Sequence, residues 1–588
     1  MKSGRAFLLP WFSPLFFRLS FPVAAGVLMS LPCSFLNVSR SGVVKGPLTA
    51  LALLLAPGLA PDARAEIAAA ATRISQIGAP SAPVAGQAFR QAVAEAAASD
   101  EALATFYRGH DYAALWTTGA DAARRQAFFR ALDHAGDHAL PIARYDVDGL
   151  REAFASVTSE RARGQLEVRM TKAMLRYVAD LQTGILTPAK VDPGIVREVP
   201  LRDRLATLTT FSVSDPSRFF HSIVPDAPQY TQLMKKRLDL VGVIQNGGWG
   251  PAVEAKKLHP GDTGPAVIAL RDRLVAMGYL RRTASPAFDG ALQKAVQLFQ
   301  IDHGLTADGV AGEGTIAEVN VSPEARLSSV VVGMERLRWL NGLDLGKRHI
   351  WVNLPDFTAK IIDDGKVTFE TVTVIGMDQG DRRSPEFSDQ MELMVVNPTW
   401  SVPRSITVKE YLPLLKKNPN AAGHLKIVDR KGRAINRGAV DFKQYTERNF
   451  PYSMSQPPSD ENALGKVKFL FPNQWNIYLH DTPSKSLFDR EVRAFSHGCI
   501  RVGRPFDLAY ALLAPQTEDP EGLFQKYLRS GAETPVRLET PVPVHLVYFT
   551  AWPNARGRME YRRDVYGRDA HIHDALIAAG VEPAGVRG

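Results

Sequence analysis

The sequence predicts an α+β multidomain chain: a helical N-terminal scaffold, a small three-helix module, and a β-rich C-terminal domain interrupted by an insertion. Three observations carry this. From Leu103 to about Trp249, apolar residues recur at helical spacing, as in Phe128 with Leu132, and Leu175 and Val178 with Leu181. Residues 256–322 hold two short apolar stripes, each closed by a glycine. Beyond about Arg326 the period changes to two, with Ile350, Val352 and Leu354 alternating. At 588 residues the chain is too long for one core, and 45% hydrophobic with 22% charged residues is ordinary globular composition.

Residues 1–65 read as a leader. Residues 48–56 form a short apolar run, Arg40 and Lys45 precede it, and Ala63-Arg64-Ala65 offers a small-residue cleavage site. The expectation is export with cleavage near Ala65. The uncharged run 19–39 adds two alternatives: translation starting later, at Met29, or an N-terminal anchor that tethers the chain to the inner membrane. The formal net charge of +9 is concentrated here, because residues 1–65 carry six cations against Asp62 alone. What remains is mildly basic, and no lysine-rich run interleaved with aromatics appears, so nucleic acid is not an expected partner.

Residues 66–99 are an Ala-rich spacer leading into a helix, and 100–250 form the helical scaffold, with Phe106-Tyr107 and Tyr112 to Trp116 as packing anchors. In the module, Val267, Leu270, Leu274 and Met277 form the first stripe, ended by Gly278. Asp289 is placed to cap the second helix, whose stripe is Leu292, Val296 and Phe299. A third short helix runs from Thr315 to Val319. The β-rich domain spans 326–548. Asp363-Asp364-Gly365 is its clearest hairpin turn. Over 404–466 the strand pattern lapses, apart from a short helix at Glu410 to Lys417, and an insertion of that length usually covers something. Val544, Leu546 and Tyr548 read as a strand that closes the sheet. Residues 549–588 are an extension in which no chemistry is visible.

The chemistry concentrates in Phe495-Ser496-His497-Gly498-Cys499-Ile500-Arg501-Val502 and in the earlier Tyr478-Leu479-His480-Asp481. A lone cysteine is most often a small buried hydrophobe. Here, however, Gly498 clears an approach, His480 ends an apolar run as a candidate base, and nearby amides can meet an oxyanion. Two such strand ends lying side by side bring imidazole to sulfur. The other cysteine, Cys33, lies in the leader, so removal of the leader leaves Cys499 unpaired in an oxidising compartment, which favours a working thiol. His480, Asp481 and His497 are the alternative, as metal ligands, but no ligand-spacing motif supports them and no metal or other cofactor is expected.

Ser496-His497-Gly498-Cys499-x-Arg501, preceded by His480 on an earlier strand, resembles the catalytic signature of the L,D-transpeptidases of bacterial cell walls. The module resembles a peptidoglycan-binding domain through Phe288-Asp289, Phe299-Gln300, Gly304-Leu305 and Asp308-Gly309, and 100–250 resembles the scaffold of the larger periplasmic members. The resemblance implies a cysteine-dependent acyl transfer on peptidoglycan stem peptides, under a lid formed by the insertion. Cys499 is then the nucleophile and His480 the base. Gly498 and Cys499 supply oxyanion amides, with Asp481, Ser496 and His497 in support. Arg501 and Tyr478 contact substrate. A periplasmic monomer is expected. The acceptor stays open among a second stem, a lipoprotein lysine, water and a free D-amino acid. A non-catalytic wall-anchoring protein is the remaining alternative.

Overall fold

Strand alternation and a tight turn start the C-terminal sheet. The structure is a computed structural model that describes residues 86–584. The leader, its cleavage site, its anchor alternative and most of the Ala-rich spacer lie outside the described residues. The strands, in order, are β1 (Arg348–Asn353), β2 (Thr358–Asp363), β3 (Lys366–Gly376), β4 (Phe387–Val396) and β5 (Trp400–Ser401). Next come β6 (Lys426–Val428), β7 (Ser453–Gln456), β8 (Val467–Leu470) and β9 (Leu479–His480). The last are β10 (Ala494–Ser496), β11 (Ile500–Val502), β12 (Thr534–Val547), β13 (Ala551–Pro553) and β14 (Met559–Tyr561). β2 and β3 pair Asp363 with Lys366, leaving Asp364 and Gly365 as a two-residue turn. Both have positive φ, +47° and +78°, the backbone that a right-twisted hairpin needs.

The main sheet has the order β10-β3-β11-β9-β8-β4-β12-β1-β2, and β2 also pairs with β3, which closes the ring. β12 therefore lies inside the sheet, antiparallel to β4 and parallel to β1, with Val544 opposite Ile350. The alternation in β1 serves two cores. Ile350 and Val352 enter the core of the sheet domain, whereas Trp351 packs into the helical core shared with the scaffold.

The strand region begins at Arg348 rather than near Arg326. Residues Pro323–Leu340 are a helix, capped by the Ser322 hydroxyl, which accepts from the Ala325 N–H. Val330, Val331, Met334 and Leu337 are buried, as are the polar residues Glu335, Arg336 and Arg338. A helix buried on all sides has no single apolar stripe, so the periodicity signal is lost. The insertion likewise is not a loose loop. β5, β7 and β6 form a small sheet of their own, and Leu412, Leu415, Ile427, Phe442 and Met454 pack into a separate core.

The scaffold helices share one core with the 323–340 helix and the C-terminal segment. The joint is ionic as well as apolar. Arg336 holds Glu386 (2.5 Å) and Asp569 (3.0 Å), and Arg568 holds the other oxygen of Glu386 (3.3 Å). Glu386 exchanges backbone hydrogen bonds of 2.8 Å with Gly194 and Val196 of the scaffold region. The three-helix module keeps its own core, with the Asp289 carboxylate accepting from the Leu292 N–H at 2.9 Å. It rests on the β13–β14 hairpin. His303 stacks on Tyr561 with centroids 5.5 Å apart, and Arg558 reaches Asp302 at 2.9 Å.

Removing one member of a buried ion cluster leaves uncompensated charge in low dielectric. Glu386→Ala is expected to cost about 3–5 kcal/mol, read as a lowered urea midpoint. A loss below about 1 kcal/mol would show that Arg336 and Arg568 find other partners.

Candidate active site

β9 and β11 run side by side and parallel, with Ile500 opposite Leu479 and Arg501 opposite His480. Leu479, Ile500 and Val502 are fully buried in the sheet core. Side chains alternate along a strand, so burying these three turns Tyr478, His480, Cys499 and Arg501 to the opposite face. All four line one cavity of about 740 Å³, together with residues 400–406 and 409–411, which lead into and begin the insertion.

The His480 ring is buried, and its Nδ1 lies 2.5 Å from the Asp481 carbonyl. A carbonyl only accepts, so Nδ1 carries the proton of the neutral ring and Nε2 is left as a base. Burial, with Arg501 nearby, pushes the pKa of His480 down to about 3. The Cys499 thiol is half-buried and donates to the Asn476 carbonyl at 3.4 Å. Burial pushes its pKa up to about 11, against the lowering pull of the Tyr478 N–H and hydroxyl and of Arg501. At neutral pH the resting pair is therefore a thiol and a neutral imidazole, not a thiolate and an imidazolium.

The remaining predicted residues divide by where their polar atoms go. Ser496 Oγ donates to the Cys499 carbonyl at 2.5 Å and accepts from the Gly498 N–H at 3.1 Å. The Gly498 N–H is thus engaged, whereas no acceptor among the described residues takes the Cys499 N–H. Gly498 has φ +114°, which disfavours any side chain, and an added Cβ would meet Ile477 at 3.0 Å. The Asp481 carboxylate turns away from the ring. It accepts from Lys485 (2.5 Å) and from the Thr482 and Lys466 N–H groups (2.7 and 2.9 Å), so its backbone carbonyl is what orients His480. Tyr478 meets His480 edge-on, with centroids 5.6 Å apart. Arg501 Nε is buried without a hydrogen-bond partner among the described residues. His497 Nε2 pairs with Glu410 at 2.5 Å. His480, Asp481 and His497 therefore send their polar groups to separate partners and do not converge as a ligand set.

Residues 347–544 match the family described as the L,D-transpeptidase catalytic domain. Over this stretch the chain is similar to L,D-transpeptidase catalytic domains. Residues 101–236 match a scaffold domain, and residues 263–318 a domain described as a "putative peptidoglycan binding domain". A Haemophilus influenzae protein named "Putative L,D-transpeptidase" is 32% identical over 264 residues. That match covers 44% of this chain and about half, 52%, of the relative. Among solved structures, an L,D-transpeptidase from Xylanimonas cellulosilytica is 14% identical with a TM-score of 0.16, covering 50% of this chain and 99% of that one. One from Stackebrandtia nassauensis is 15% identical with a TM-score of 0.20, covering 50% and 96%. TM-scores this low add nothing to the assignment.

The site also holds residues that no sequence pattern marks. Glu410, on a π-helical turn (Thr407–Tyr411) of the lid, accepts from both His497 and Arg382, the latter at 2.7 Å. Lys409 pairs with Asp381 at 2.8 Å beside it. These contacts tie the insertion to the loop that bears Cys499 through His497, and to the connection between β3 and β4 through Arg382 and Asp381. Asn473 braces the turn that presents the Asn476 carbonyl, accepting from the Trp475 and Ile477 N–H groups at 3.1 and 3.0 Å. The π turn inside a lid helix was the signal closest to hand for Glu410, since such turns gather at functional sites, but it is invisible without coordinates.

Two measurements check this geometry. Alkylation of Cys499 by iodoacetamide is expected to rise about tenfold per pH unit from pH 7 to pH 9, because only the thiolate reacts. A plateau near neutrality would contradict the neutral pair. Glu410→Ala is expected to speed hydrogen–deuterium exchange in both 404–417 and 496–499. Unchanged exchange in the second segment would show that this tie does not reach the nucleophile loop.

Proposed function

We propose that the chain is a peptidoglycan L,D-transpeptidase. The observation that carries this reading is the common face of β9 and β11, which sets a base with a free Nε2 and a half-buried thiol in one cavity. His480 takes the thiol proton as Cys499 Sγ attacks the carbonyl that joins an L-centre to a terminal D-residue. The tetrahedral oxyanion forms against the Cys499 N–H, which no acceptor among the described residues takes, and one well-placed donor of this kind is worth about 3 kcal/mol. Collapse expels D-alanine, whose amine takes the proton back from His480, and leaves a thioester on Cys499. The amine of a diaminopimelate on a neighbouring stem then attacks the thioester. Its proton passes to the imidazole and on to the departing sulfur, which regenerates the thiol.

Arg501 supplies a half-buried cation whose Nε has no hydrogen-bond partner among the described residues, suited to a stem carboxylate. The lid closes over the acyl-enzyme and keeps bulk water from competing with the acceptor amine. The working location is extracytoplasmic, after export through the leader, and the module 256–322 brings the enzyme to the wall.

Disaccharide-tetrapeptide muropeptides incubated with the purified full chain test the reading. The expected products are free D-alanine and a cross-linked dimer, insensitive to EDTA and undetectable with Cys499→Ser. Release of D-alanine without dimer would move the acceptor to water, and incorporation of added D-amino acid or of a lysine peptide would move it to those amines. No turnover in the wild type, with sacculi still bound, would leave a wall-anchoring protein. EDTA-sensitive turnover that survives Cys499→Ser would favour metal chemistry.

A further inference from the structure

Behind the nucleophile loop two backbones touch. A Cβ on Gly376, at the end of β3, would lie 2.0 Å from the Arg382 carbonyl and 3.0 Å from Gly498 Cα. Ser384 fills that joint. Its hydroxyl donates to the Gly498 carbonyl at 2.6 Å and accepts from the Gly376 N–H at 3.0 Å. Ser384 is itself held from the C-terminal extension. Its N–H donates to Tyr566 Oη at 3.2 Å, and its carbonyl accepts from Arg568 Nη2 at 3.0 Å. Tyr566 Oη donates in turn to the Gly376 carbonyl at 2.5 Å. The Tyr566 ring is buried, stacked on Tyr548 and lying under the Arg568 guanidinium at 5.0 Å. Tyr566 and Arg568 lie beyond 544, outside the stretch that matches the catalytic-domain family.

The Gly498 carbonyl and the Cys499 N–H are two ends of one peptide group. In a trans peptide they point in opposite directions, and the plane turns as a unit. Whatever fixes the carbonyl therefore aims the N–H. We propose that Tyr566, acting through Ser384, is a positioning residue that aims the Cys499 N–H at the reacting carbonyl oxygen, so that the C-terminal extension is part of the catalytic apparatus. The proposal rests on the reading of Cys499 as the nucleophile of an acyl transfer. Ser496 fixes the neighbouring Gly498 N–H and Cys499 carbonyl from the other side, which leaves the Cys499 N–H as the loop amide with freedom to serve. Holding that plane in advance spares the transition state a reorganisation that water would otherwise demand.

The test compares two reactions of the same sulfur in the full chain, each mapped to Cys499 by peptide mass spectrometry. Acylation by a carbapenem builds an oxyanion; alkylation by iodoacetamide does not. Tyr566→Phe keeps the ring and removes only the hydroxyl, and Ser384→Ala removes the link itself. Both are expected to lower the saturating acylation rate about tenfold or more, with the half-saturating concentration and the alkylation rate within about twofold of wild type. Tenfold corresponds to about 1.4 kcal/mol of transition-state stabilisation. Acylation unchanged in either folded variant would overturn the proposal, and so would acylation and alkylation falling together, which marks a merely structural role. Failure of the wild type to acylate at all would instead overturn the nucleophile reading on which the proposal stands.

Discussion

The register between β9 and β11 is the constraint on which the rest of the site depends. Three aliphatic side chains, Leu479, Ile500 and Val502, are buried on one side of two short strands, and that burial leaves one orientation for the polar side chains between them. A one-residue slip of β11 would drive Cys499 into the core and bring Ile500 into the cavity, and a slip of β9 would do the same to His480 and Leu479. Burial of a leucine or isoleucine side chain is worth about 1.5–3 kcal/mol, so the register is held by several such terms at once. Hydrophobic packing thus sets the chemistry without touching it.

Burial also decides the charge state. The same low-dielectric setting that pushes the thiol up to about 11 pushes the imidazole down to about 3, so each group is neutral at rest. In the proposed reaction proton transfer accompanies attack, with the Asp481 carbonyl favouring the charged ring and Tyr478 and Arg501 favouring the thiolate. Around this neutral centre the molecule places its ions. Glu410 joins the lid to His497 and Arg382, and Glu386 joins the scaffold, the 323–340 helix and the C-terminal segment through Arg336 and Arg568. Arg568 also reaches Ser384, which bonds Gly498, so one intermediate residue links the outer ionic joint to the nucleophile loop.

Much of this was legible in the sequence because it is local. The Asp364-Gly365 turn, the Asp289 cap and the alternation of Ile350 with Val352 each express a period or a cap within a few residues. The polar face shared by His480 and Cys499 followed from two apolar runs and the rule of alternation. What stayed hidden depends on contacts distant in sequence. The 323–340 helix is buried all round from Val330 to Trp339, so its apolar stripe is masked by the buried Glu335, Arg336 and Arg338. The lid has a core of its own because Phe442 and Met454 return to Leu412 and Leu415, a closure that no local pattern announces. Glu410, Ser384 and Tyr566 matter through single hydrogen bonds that span from 87 to 190 residues of chain. Asp481 could orient the ring through its backbone carbonyl or its carboxylate, and it is the carbonyl that does so, a distinction that only coordinates draw.

The central claim is that the His480 imidazole activates the Cys499 sulfur across the strand pair. The most direct measurement is the rate of covalent acyl-adduct formation on Cys499, followed by intact mass, for the wild type against His480→Gln. The account predicts a single adduct at Cys499 that forms roughly 10²–10⁴-fold more slowly without the imidazole, the range of general-base catalysis. An adduct forming at the wild-type rate in His480→Gln, or one mapping to any other residue, would contradict it.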